Sequence, residues 1–355
     1  MKPQNKLNNV KCTGLEHKMG IKASPTCVID MEDATGYLIG TPHKGMRTMF
    51  TMMNAARLQV GTEGVALGEA AYQNALAFAK DRRQSRSLDP AKRDAEHGAD
   101  TILVHPDVRR MLLNVKSTTE GLRGLVAWIS INYDVMHHGE DGEAKEKASD
   151  LVALLTPIIK SFGSERGFAN ISEAMQVMGG AGYTSDWPVE QYMRDERIAM
   201  IYEGTNHIQA LDLVGRKLAM GGGRLMRVFA GEVGALLKAT LGDERLAPFA
   251  TALKGESKRL NETTMSMAAA GMQDNEVIGA VASNYLNQFA LVTLGYVWLK
   301  IAQHVVELPE DDKTRVSKMQ TARFYFEMVL PEAAMYAAKV AVGKGPMMDI
   351  DVDLL

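Results

Sequence analysis

Between residues 46 and 82, Phe50, Met53, Arg57, Gly61, Val65, Gly68, Tyr72, Leu76 and Ala79 recur every three or four positions. Only a helix brings such positions onto one face, so this stretch predicts one long helix with a single buried stripe. Gly61, Gly64 and Gly68 each weaken that helix by about 1 kcal/mol relative to Ala, and their expected role is to let another backbone approach closely. The pattern continues downstream. Pro106 suits a first helical position, and Val108, Leu112, Val115, Leu122, Val126, Ile129 and Tyr133 form a second stripe. A third helix is expected over roughly 144–178, broken or bent near Pro157 and stopped by Gly179-Gly180-Ala181-Gly182. A short helix follows Pro188, and another runs from near Thr205 to about Ala219. Gly221, Gly222 and Gly223 make a joint, beyond which four segments read as helical: about 224–240, 246–271, 275–307 and 312–342. Their short connections favour an antiparallel bundle.

Residues 9–40 differ. VKCTGL, TCVIDM and YLIG read as short strands punctuated by Gly14, Gly20, Pro25 and Gly36. Two or three strands are too few to stand alone, so this segment reads as the end of a β structure whose beginning lies elsewhere. The length allows one large or two medium domains. With 40 basic and 43 acidic side chains the net charge is -3, which argues against a nucleic-acid partner. The two cysteines, Cys12 and Cys27, are so sparse in 355 residues that reduced thiols and a cytoplasmic setting are expected. No His/Cys cluster has zinc spacing, and the stretch HHGEDGEAKEK reads as a solvated segment, so no metal is expected. MKPQNKLNNVKC has no apolar signal core, and the apolar run FALVTLGYVWL, residues 289–299, is too short to span a bilayer. The 23 methionines are read mainly as gap-filling core side chains.

The chemistry concentrates around MIYEGTNHIQ, residues 200–209. Taken by itself, Glu203 is an acid placed favourably near a helix N-terminus. Thr205 suits the N-cap, leaving the amides of 206–208 for an anionic group such as a pyrophosphate. GGAG follows a helix and lacks the spacing of a dinucleotide-binding turn. On local sequence Arg82 is a solvated helix end, Gln176 a solvated amide, and Arg57 a polar interruption of an apolar face.

Three stretches together add a further reading. QVMGGAGYTSDWPVEQYMRDERIAMIYEGTNHIQ, EHKMGIKASPTCVI and ARLQVGTEGVALGEAAYQNALAFAKDRRQ resemble, in order, motifs of the C-terminal half of acyl-CoA dehydrogenases, over about residues 9–219. The tail from 220 resembles the extra helical domain of longer bacterial members, such as the 3-methylmercaptopropionyl-CoA dehydrogenases. The resemblance implies a mostly α fold: the end of a middle β-domain (1–44), a helical flavin and acyl-CoA domain (45–220) and a C-terminal helical extension (224–355). It implies FAD-dependent α,β-desaturation of an acyl-CoA thioester, with electron-transfer flavoprotein as acceptor. Glu203 matches the catalytic base; flanked by Tyr202 and apolar neighbours, it is expected to be desolvated and hence a stronger base. Its backbone N–H would bond the thioester carbonyl. Tyr202, Gly204 and Arg57 match substrate-side positions. Arg82, Gln176 and Gly180 match residues serving the flavin of a neighbouring subunit, and Thr205 and His207 residues serving the chain's own. A homodimer is implied, the tail taking space that a second pair of subunits would fill.

There are departures. His207 stands where Gln is common, and Ser85-Arg86 where an aromatic-glycine pair is common. The family's N-terminal helical domain and the first half of its β-domain have no counterpart in this sequence. Two other readings therefore stand beside the dehydrogenase: a non-catalytic helical interaction module or accessory half of a split enzyme, and an acyl-CoA oxidase-like flavoprotein.

Overall fold

The computed structural model describes residues 8–355, which are overwhelmingly helical. Two antiparallel strands, β1 (Val10–Leu15) and β2 (Cys27–Met31), pair with a bulge between Cys12 and Gly14. YLIG forms no third strand: Tyr37, Leu38 and Ile39 are exposed and irregular, with no partner strand to satisfy them. The hairpin segment is tied to the helices at Gly20, where a Cβ would collide with the Arg194 carbonyl. The Ile21 N–H donates to Asp195 Oδ1 at 2.5 Å.

Three long helices follow: α1 (Gly45–Asp81), α2 (Pro106–His138) and α3 (Gly142–Met178). α1 and α3 run parallel, with α2 antiparallel to both. The expected close approach occurs between α1 and α3. A Cβ on Gly61 would lie 2.6 Å from the Ile159 carbonyl, one on Gly64 would strike the Gly163 carbonyl, and one on Gly167 would lie 2.6 Å from Gly64 Cα. Gly68 has more room, with Thr119 Oγ1 at 3.4 Å. α3 is central: every residue from Leu154 to Ser164 is buried. That burial explains why α3 is not broken at Pro157; the proline removes one N–H, yet packing on all sides keeps the helix continuous.

α4 (Val189–Glu196) and α5 (Asn206–Asp212) carry the segment between. α5 passes into a π-turn at Leu213–Lys217, so the helical run ends two residues before the expected Ala219. After the left-handed Gly221–Gly223 joint come α6 (Arg224–Thr240), α7 (Ala247–Gln273), α8 (Asn275–Val305), α9 (Lys313–Phe324) and α10 (Glu332–Val342). The expected single helix over 312–342 is two, separated by a π-turn at Tyr325–Val329 and by Pro331. α8 corrects the reading of 289–299: that run sits within a 31-residue helix, long and apolar enough to cross a bilayer by length and composition. In this structure α8 is instead the centre of the extension, with Phe289 to Leu299 buried.

The extension docks on α2 and α3. Trp298 Nε1 donates to the Ser117 carbonyl at 3.0 Å, and Gly121 admits its ring. Arg166 pairs with Glu332, and Lys116 Nζ donates to Ser317 Oγ and Thr321 Oγ1 at 3.0 and 2.7 Å. One apolar cluster runs from Val65 through α3 to Val340.

Candidate functional site

Glu203 lies in the loop between α4 and α5 with φ +57°, a left-handed conformation that a residue with a Cβ rarely adopts. Gly204 follows with φ +83°. The surrounding chain holds this strained turn. Arg57 Nε donates to the Glu203 carbonyl at 3.4 Å, and Gln209 Nε2 to the carbonyls of Glu203 and Gly204 at 3.2 and 3.3 Å. A Cβ on Gly204 would sit 2.7 Å from Gln209 Nε2, so glycine makes room for that amide. The Tyr202 hydroxyl donates to Glu63 Oε2 at 2.8 Å, and burial together with that bond pushes the phenol's pKa up. Tyr202 thus braces the loop against α1.

Thr205 caps α5, its Oγ1 accepting from the Ile208 N–H at 3.3 Å. The sequence expectation of free amides over 206–208 is narrowed accordingly, because the cap uses the amide of 208. His207 is exposed, with Nδ1 3.1 Å from Ser283 Oγ on α8, so the extension reaches one of its ring nitrogens. Glu203 is half-buried rather than enclosed, since its loop lies on the outside of the helices and Ile201 and Ile208 beside it are exposed. Among the described residues, neither its carboxylate nor its backbone N–H has a hydrogen-bond partner.

Beneath the loop is a buried polar cluster. Lys160, in the apolar middle of α3, is wholly buried, and its Nζ donates to Asn206 Oδ1 at 3.2 Å. Ser164 Oγ donates to the same oxygen at 3.2 Å, and Asn206 Nδ2 donates to the Ser161 carbonyl at 3.2 Å. Burial, then the nearby Arg57 charge, lowers the Lys160 pKa to about 8, while Glu203 and Glu196 oppose that shift. Glu196, at the end of α4, is also wholly buried, and neither carboxyl oxygen has a partner among the described residues. Its carboxyl fits because Gly64 has no side chain; a Cβ there would lie 2.8 Å from Oε1. Burial, reinforced by Glu63, raises its pKa to about 9, so Glu196 is a neutral acid at pH 7.

Two clefts flank α1. One of about 370 Å³ lies near its N-terminal half, with Asn54, Arg57, Tyr133, His137, Asp212 and Lys217 among its walls. Glu203 is not among its lining residues; Arg57 joins the two, lining the cleft and bonding the Glu203 carbonyl. The other, of about 620 Å³, lies at the C-terminal end of α1 and brings together Arg82, Gln176 and Gly180 with Phe78, His105 and Val108. Arg82 and Gln176 are exposed there, and among the described residues no hydrogen bond or ion pair holds either side chain. Gly179 has φ +57°, and the space beside Gly179 and Gly180 is open. Arg82, the C-cap of α1, is 25 residues beyond Arg57, about 37 Å along the helix at 1.5 Å per residue.

Sequence reasoning missed Lys160, Glu196, Gln209 and Asn206. The signal for Lys160 was present, a lone lysine in PIIKSF. Glu196 gave none: RDER reads as a solvated charge run, and only the Gly64 gap buries one member.

Residues 43–218 match the family described as "Acyl-CoA dehydrogenase, C-terminal domain", and residues 229–351 that described as "Acetyl-CoA dehydrogenase C-terminal like". The chain belongs to the acyl-CoA dehydrogenase family. It is 37% identical over 343 residues to 3-methylmercaptopropionyl-CoA dehydrogenase of Ruegeria pomeroyi, covering 94% of this chain and 56% of that protein. It is 34% identical to the broad-specificity linear acyl-CoA dehydrogenase FadE5 of Mycobacterium tuberculosis, covering 79% and 44%. The chain therefore spans about half the length of the relatives it matches. A Bacillus anthracis acyl-CoA dehydrogenase complexed with FAD shares the fold at a TM-score of 0.75 and 22% identity, over 94% of this chain and 57% of that one. Caenorhabditis elegans ACDH-11, in complex with C11-CoA, does so at 0.76 and 20%, over 90% and 50%.

Proposed function

We propose that the protein carries out FAD-dependent α,β-desaturation of an acyl-CoA thioester with Glu203 as base. The observation that carries this is the Glu203 turn itself: a carboxylate and an N–H, both without partners among the described residues, held in a strained backbone by Arg57, Gln209 and Tyr202. Strain fixed by surrounding bonds at one half-buried acid is what a poised catalytic group requires. The Glu203 carboxylate takes the α-proton, and its N–H donates to the thioester carbonyl, favouring the enolate-like charge that develops. Gly204 leaves room for that approach, and Tyr202 keeps the turn from relaxing. The cleft lined by Arg57 and Lys217 offers cationic side chains to an anionic CoA moiety.

FAD, when bound, supplies the acceptor for the β-hydrogen as hydride. The residues present fit such a group. Among the described residues Arg82 presents an unengaged guanidinium fork suited to phosphate oxygens, Gln176 an unengaged amide, and Gly180 a backbone open to close approach. Thr205 and His207 serve a flavin from beside Glu203. Arg82 and Arg57 lie about 37 Å apart along α1, so the two groups of residues are assigned to two flavins, which supports a homodimer. Electron-transfer flavoprotein is the proposed acceptor, and residues 45–220 the catalytic unit with 224–355 as its helical extension.

The test is the visible spectrum of the purified protein supplied with FAD, before and after an acyl-CoA is added without oxygen. Flavin bleaching supports desaturation. Bleaching followed by peroxide release in air would favour an oxidase. No flavin binding at all would favour an interaction module.

A further inference from the structure

The proposed base stands on a loop whose far end is fixed by a residue outside the motif. Asn206 begins α5 three positions after Glu203, and α3 grips it with Lys160, Ser161 and Ser164. Of these, Lys160 alone brings a charge, and it does so from a wholly buried position. An apolar side chain would be the simpler occupant of that site, since burying an ammonium without an ion pair is costly. Among the described residues Lys160 makes no ion pair; its only hydrogen bond is to Asn206. The charged groups that act on it are Arg57 from α1, Glu196 from α4 and Glu203 from the loop.

We propose that Lys160 is a positioning residue for the reaction: through Asn206 it fixes the end of the Glu203 loop. This rests on Glu203 being the base. Substitution separates the donor from the charge. Lys160→Gln keeps a donor for Asn206 and removes the charge; Lys160→Met removes both.

The experiment is the rate of flavin bleaching by an acyl-CoA, in the FAD-supplied protein, from pH 5.5 to 9.5. Lys160→Met lowers the rate by about tenfold at every pH, from the released loop, whereas Lys160→Gln, which keeps the donor, stays within about threefold of wild type. A second readout needs no flavin. Below its folded pKa of about 8 wild-type Lys160 is charged in both states, and from there to its ordinary 10.5 the unfolded chain holds the extra proton. Unfolding stability therefore rises with pH in that window, and the Gln variant lacks the rise. A Met variant that bleaches at the wild-type rate, or a Gln variant as slow as the Met variant, overturns the proposal. A wild type that never bleaches at any pH instead defeats the desaturase reading, and this proposal with it.

Discussion

The two halves of α1 are built differently. In the N-terminal half, Arg57 is 8% exposed and spends its Nε on the Glu203 carbonyl, and the loop beyond is bonded by Gln209, Glu63 and Lys160. At its end, Arg82 and Gln176 face a larger cleft with no intrachain partner among the described residues. The first site is completed by the chain's own side chains. The second presents donors and open glycine backbone, the proposed contacts of a flavin. Polar groups of the first kind carry fold stability; those of the second kind carry binding, and substitution separates them.

The largest expected effect is at the glycine contact beneath the first site. Gly64→Ala puts a methyl group against the Gly163 carbonyl and Glu196 Oε1 in a fully packed region, which is expected to lower stability by about 3 kcal/mol. Denaturant unfolding checks this as a shifted midpoint at constant slope. Next comes the arginine pair. Arg57→Ala is expected to destabilise by about 2 kcal/mol, through lost packing and a weakened Glu203 carbonyl bond. Arg82→Ala changes stability by less than about 0.5 kcal/mol, yet weakens FAD binding by roughly tenfold to a hundredfold. Equal stability losses for the two would erase the contrast, and unchanged flavin titration in Arg82→Ala would remove the second site.

Glu196→Gln sharpens the comparison by pH. The folded carboxyl, near 9 against an ordinary 4.5, holds its proton longer than the unfolded one, so wild-type stability falls as pH rises through that window. The Gln variant lacks this fall and should lead wild type by at least about 1 kcal/mol at pH 8 and by nothing at pH 4. A constant gap at both pH values would place Glu196 in contact with solvent. Smallest is Trp298→Phe, which removes the indole donor to the Ser117 carbonyl and is expected to cost about 1 kcal/mol, measurable as a small fall in Tm.

Most helices were legible because burial on one face leaves a period in the sequence. α1 and α2 begin within a residue or two of the positions that Gly45 and Pro106 mark. Where the sequence misled, tertiary packing had overridden a local rule: Pro157 inside the wholly buried stretch of α3, and a π-turn before Pro331 where one helix was expected. The motif residues around Glu203 were visible because they are contiguous. The groups that hold them were not, because each arrives from another element: Gln209 folds back from α5, Lys160 rises from α3, and His207 meets Ser283 76 residues away. The burial of Glu203 was overread, since apolar neighbours in sequence turned outward in space.

The most direct measurement is anaerobic bleaching of the FAD-supplied protein by an acyl-CoA, compared between wild type and Glu203→Gln. Bleaching in the wild type, with a rate lower by a factor of about 100 to 10,000 in the variant and the same unfolding midpoint, is the predicted result. A Gln variant that bleaches at the wild-type rate would contradict the assignment of Glu203 as the base.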